Sequence, residues 1–86
     1  MTNTAKNLIK QAISFNFPSV YIEDVVFEED GGWFRDLTYS KEFEDIDDRE
    51  RFAEEVNCLK FAKMVPGYEV WRDDKNYFSF GKVNTY

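Results

Sequence analysis

Eight carboxylates fall in the fifteen residues from Glu42 to Val56, EFEDIDDRERFAEEV. Carboxylates packed this closely can hold a divalent cation, work as an acid and base pair, or meet a cationic partner. Calcium is tested by spacing. With Asp45 at the first position of an EF-hand loop, Asp47 falls correctly at the third. Arg49 then takes the fifth, Glu50 the sixth, where the sharp turn needs glycine, and Val56 the twelfth, where a bidentate glutamate belongs. The pattern fails at three informative positions, so no metal is expected.

Acid–base and nucleophilic chemistry is equally poorly served. Histidine is absent, which removes Ser-His-Asp and Cys-His nucleophilic sites, histidine bases and the usual zinc sets together. Neither nucleotide-binding glycine pattern is present, and Gly31-Gly32 is flanked by acids that would repel phosphate. Cys58 lies beside Val56 and Leu59 and among acids, the setting of a small buried apolar side chain rather than a reactive thiol. No catalytic residue, metal or cofactor is expected, and the chain reads as a binding protein rather than an enzyme.

Charge is distributed unevenly. Residues 1–22 carry Lys6 and Lys10 and no acid, whereas residues 23–55 carry fourteen acids against Arg35, Lys41, Arg49 and Arg51, a net −10. Residues 56–86 return to +2, and the whole chain stands at −6. Asp45, Asp47, Asp48 and Glu50 are explained by a helix N-terminus, where carboxylates gain about 0.3–1 kcal/mol each from the dipole. Glu23, Asp24, Glu28, Glu29, Asp30, Asp36, Glu42 and Glu44 are not explained that way. Together with Asp45 they form the expected partner-binding acids. Phosphate neutralisation dominates nucleic-acid affinity, so this balance disfavours direct nucleic-acid binding and favours a basic protein partner.

The elements that must position these residues follow from periodicity. Ala5, Leu8, Ile9, Ala12 and Ile13 make one stripe of a helix over 4–14, with Thr2 or Thr4 as cap. Strands near 20–27 and 33–40 form a hairpin around Asp30-Gly31-Gly32, a turn that tolerates positive φ. A bulge at Glu23-Asp24 absorbs a slip in alternation, and Trp33, Leu37 and Tyr39 share a face. A second helix over 47–63 has Asp47 and Glu50 at capping-box spacing and an inward stripe of Phe52, Ala53, Val56 and Leu59, ending before Pro66-Gly67. A second hairpin, strands near 68–72 and 77–83, turns at residues 73–76. The order α-β-β-α-β-β predicts an α+β domain spanning 1–86, with two helices on one face of a four-stranded, mainly antiparallel sheet. Its core is expected to include Leu8, Ile9, Ile13, Phe52, Val56 and Leu59.

Sixteen of the 86 residues are aromatic, more than two short helices can cover. Trp71 and Tyr77 alternate with inward neighbours and are expected on the outer sheet face, as a partner or self-association surface. A lone cysteine, no apolar leader and no membrane-length apolar run predict a reducing cytoplasm, the host's if the chain is phage-encoded. The expected function is stoichiometric inhibition of a basic, nucleic-acid-processing protein, by charge mimicry or occlusion. In size and charge the chain resembles small phage anti-restriction and anti-CRISPR proteins, though no motif assigns it to a family. The alternatives are an immunity protein or antitoxin against a nuclease-type toxin, and a small adaptor homodimer using its aromatic hairpin.

Overall fold

The computed structural model describes residues 1–39 and 45–83. Helix α1 spans Asn3–Asn16, followed by a 3-10 turn at Ile22–Asp24 and strands β1 (Val26–Phe27) and β2 (Gly31–Arg35). Helix α2 (Asp48–Met64) leads to β3 (Tyr68–Asp74) and β4 (Tyr77–Lys82). The four strands make one antiparallel sheet in the order β1-β2-β4-β3. Both helices lie on one face: Ile9, Ala12, Ile13, Phe61 and Val65 share a core with Phe34, Val70, Phe78 and Phe80 from the sheet. The predicted α+β order therefore holds. No helix among the described residues is long and apolar enough to cross a membrane.

Local signals explain both helix starts. Thr2 Oγ1 accepts from Ala5 N at 3.1 Å, and Asp47 Oδ1 accepts from Glu50 N at 2.9 Å. Each satisfies a backbone donor that has no helical partner. Helix α1 buries Ile9, Ala12, Ile13 and Asn16. The Asn16 amide donates to Ala12 O at 2.9 Å and to Met64 Sδ at 3.5 Å, joining the C-terminal ends of the helices. Leu8, expected in the core, sits at the exposed margin of this face.

The inward face of α2 is opposite to the expected one. Phe52 and Leu59 are 67% and 64% exposed, and Val56 is only half-buried. Glu54, Asn57, Cys58, Phe61 and Val65 face the sheet or α1 instead. At 100° per residue the two sets lie about 160° apart. The helix carries apolar residues on both sides, and the side that packs is the one holding Phe61 and Val65. Arg72 on β3 brings its guanidinium to Glu54, Nε to Oε1 at 3.5 Å. Arg72 thereby offsets part of the cost of turning Glu54 toward the sheet together with Phe61 and Val65.

The first hairpin is shorter than expected. Val20 and Val25 are both buried, an odd spacing that a period-two strand would place on opposite faces. The 3-10 turn between them reconciles the spacing and reduces β1 to two residues. Gly31 and Gly32 lie within β2 rather than in the turn. A Cβ on Gly32 would sit 2.0 Å from Val26 O, so the residue permits close strand approach. Positive φ occurs at Gly67, in the link from α2 to β3. Strand β2 stops at Arg35 because Asp36 turns inward, its carboxylate accepting from Thr38 N at 3.0 Å and Thr38 Oγ1 at 2.6 Å. Leu37 is consequently exposed beyond the strand, and Tyr39 packs edge-on to Phe78. Trp33, Leu37 and Tyr39 do not share a strand face.

Candidate interaction surface

Strand parity divides the sheet. Phe34 pairs with Phe78, Gly32 with Phe80 and Phe80 with Val70, all on the covered side. The alternate residues, in the register Val26–Trp33–Ser79–Trp71 and Arg35–Tyr77–Asp74, occupy the other side, which no element of the described chain covers. The molecule is two layers thick, with a shortest extent of 19 Å.

Three large rings stand on this open face: Trp33 is 38% exposed, Tyr77 38% and Trp71 41%. Trp33 and Tyr77 pack with centroids 5.8 Å apart at an interplanar angle of 55°. The Arg35 guanidinium lies 5.9 Å from the Tyr77 centroid, a cation–π contact of about 0.5–1 kcal/mol at such an exposed position. Carboxylates border the rings. Glu28, Asp73 and Asp74 line a depression with Trp33, Tyr77 and Ser79, and Glu69 lies further along exposed β3.

Of the acids singled out by sequence, Glu23, Asp24, Glu28, Glu29, Asp30 and Asp45 are exposed. The first five belong to the segment bracketing β1, at the edge of the open face. Asp36 is a correction: it is 2% exposed and holds a turn through Thr38, so it offers no charge to a partner. Glu42 and Glu44 lie outside the described residues. Trp71 and Tyr77 are on the outer face, as alternation implies. Sequence reasoning missed Trp33, Arg35, Asp73 and Asp74 as parts of the same surface. The signal was present in β2, where Trp33 and Arg35 alternate with Phe34.

A second polar group is buried between the layers. Arg72 donates to Tyr39 O at 3.0 Å and to Lys75 O at 2.6 Å through Nε, and its guanidinium lies 5.3 Å from the Tyr39 ring centroid. Glu54 Oε1 has no hydrogen-bond donor, since 3.5 Å to Arg72 Nε is charge pairing rather than a hydrogen bond. Burial raises the Glu54 pKa above its usual value, with Arg72 opposing the shift. Burial likewise raises that of Tyr39, whose hydroxyl accepts from Asn57 Nδ2 at 3.3 Å. The Cys58 thiol is pushed up to about 11 by burial and by Glu54 and Glu55. These residues brace α2 against β3, and at neutral pH a thiol in that state is protonated and a poor nucleophile.

From Asp48 onward the acidic run is helical, and its side chains radiate around α2. Among the described residues no three His, Cys, Asp or Glu side chains converge to hold a metal ion. Comparison with family models, with curated proteins and with solved structures finds no match for this chain.

Proposed function

We propose that this chain is a small acidic binding protein that docks a basic, nucleic-acid-processing protein and inhibits it stoichiometrically. The observation that carries this reading is the uncovered sheet face, where Trp33, Trp71 and Tyr77 stand exposed among carboxylates. Apolar rings supply contact area and the acidic border supplies charge complementarity, the usual anatomy of a protein interface. A nucleic-acid-processing partner follows from what such a surface complements, namely a basic groove built for phosphates. Carboxylates from Glu23 to Asp30 and at Asp73 and Asp74 would occupy that groove and exclude nucleic acid.

The test joins binding to inhibition. Wild-type protein and a variant with Glu28, Glu29, Asp30, Asp73 and Asp74 reversed to lysine are used to capture partners from the native host. The identified partner is then titrated in its own nucleic-acid binding or cleavage assay. One equivalent of wild type abolishes activity, added salt slows association, and the reversed variant stays folded without inhibiting. A partner lacking any basic nucleic-acid surface, or a reversed variant that inhibits equally at low and high salt, overturns the reading.

A further inference from the structure

We propose that the depression lined by Trp33 and Tyr77 is a socket for an arginine side chain of the partner protein. The inference rests on the docking role of the sheet face and specifies the group recognised there. The depression, about 420 Å³, is lined by Glu28, Trp33, Asp73, Asp74, Tyr77 and Ser79, three acids and two rings with no basic side chain. Its two rings, tilted 55° to each other, form adjoining walls that a planar cation can contact.

The carboxylates are positioned to receive that cation. Asp73 Oδ2 accepts from Ser79 Oγ at 3.2 Å and Asp74 Oδ1 accepts from Lys75 N at 2.8 Å. Each bond engages one carboxylate oxygen, and together they fix the acids at the β3–β4 turn beside Tyr77. A guanidinium offers five donors in a plane, so it stacks on an indole or phenol while pairing with carboxylates at its edge. An ammonium makes the charge contact but not the stacked, forked one. The chain already shows this chemistry on the same ring, since Arg35 lies 5.9 Å from the Tyr77 centroid while lining a separate depression. Phosphate is repelled by three carboxylates, and among the described residues no three acidic side chains converge to hold a metal ion.

The experiment titrates isotopically labelled protein at low salt with alternating hexapeptides of glycine with arginine, lysine or glutamine. The readouts are the indole N–H resonances of Trp33 and Trp71 and the fitted affinity. The arginine peptide shifts Trp33 far more than Trp71 and binds roughly tenfold more tightly than the lysine peptide. Trp33→Leu, and separately Asp73→Asn with Asp74→Asn, each weaken it by about tenfold. The double asparagine variant conserves shape, so with an unchanged melting temperature it decides the matter even if the Trp33 variant is destabilised. Equal affinity for arginine and lysine peptides, with Trp33 unmoved, overturns the socket while leaving a basic partner in place. Cationic peptides that bind no better than the glutamine peptide overturn both.

Discussion

The orientation of α2 can be decided by two substitutions that exchange their effects if the helix is turned over. Phe61 is fully buried, its ring centroid 6.4 Å from that of Phe80, in a cluster with Ile9, Ile13 and Val65. Leu59 is 64% exposed, at the rim of a groove that Cys58, Val70 and Trp71 also line. Burying a phenylalanine contributes about 1.5–3 kcal/mol of transfer free energy, and the cavity left by truncation brings Phe→Ala to about 3–5 kcal/mol. A domain of this size has roughly that much net stability, so Phe61→Ala leaves most of the chain unfolded at room temperature. Phe61→Leu is the measurable version, about 1–2 kcal/mol, which for this length lowers the melting temperature by about 4–8 °C per kcal/mol. Leu59→Ala removes little buried surface and stays within about 0.5 kcal/mol. Urea unfolding followed by tryptophan fluorescence, with unchanged m-values, reads both. A Leu59→Ala loss above about 2 kcal/mol beside a silent Phe61→Leu would refute the orientation.

Removing one member of the buried ion pair gives an asymmetric result. Arg72→Met leaves the partly buried Glu54 carboxylate without its counter-ion and costs about 1–3 kcal/mol, whereas Glu54→Gln is far milder at neutral pH because it deletes the charge. The raised Glu54 pKa makes its contribution full below the ordinary glutamate range and lost as pH rises through the folded value. Glu54→Gln therefore gains stability relative to wild type between acidic and neutral pH; denaturant titrations showing the opposite trend would remove burial as the dominant cause. Cys58, with its pKa near 11 against a reference of 9.0, carries about a hundredfold less thiolate than a free cysteine at pH 8. Alkylation of the native protein is slower by about that factor and recovers in denaturant; equal rates in both states would show an exposed thiol.

Much of the fold was legible because its signals are local. Thr2 and Asp47 cap helices through bonds to backbone three residues away, and Pro66-Gly67 stops the second helix with Gly67 at a φ of 90°. Strand β4 follows from strict alternation, Phe78 and Phe80 inward against Tyr77 outward, whereas β3 shifts register between Arg72 and Asp74. Within the candidate surface, Trp71 and Tyr77 were readable from that same parity. Trp33 is marked in the same way by its alternation with Phe34, but is grouped with Leu37 and Tyr39 when β2 is read through to Tyr39. The strand's true end is set by Asp36, whose backbone N–H donates to Asn76 O across the sheet and whose carboxylate closes on Thr38.

By itself, then, the sequence determined the order of elements, both helix starts, the β3–β4 hairpin and an excess of rings that two helices could not cover. Tertiary structure alone decided which side of α2 enters the core, which acids remain available and which rings share one open face. The reason is the range of the interaction involved. Caps and alternation act over a few residues and leave their mark in spacing. Glu54 faces the sheet beside Arg72 of β3, and Asp36 is held both by Thr38 nearby and by the bond from its N–H to Asn76 between β3 and β4. A carboxylate's place inside or outside is therefore fixed by a partner that often arrives from another element, and periodicity within one helix or strand carries no record of it.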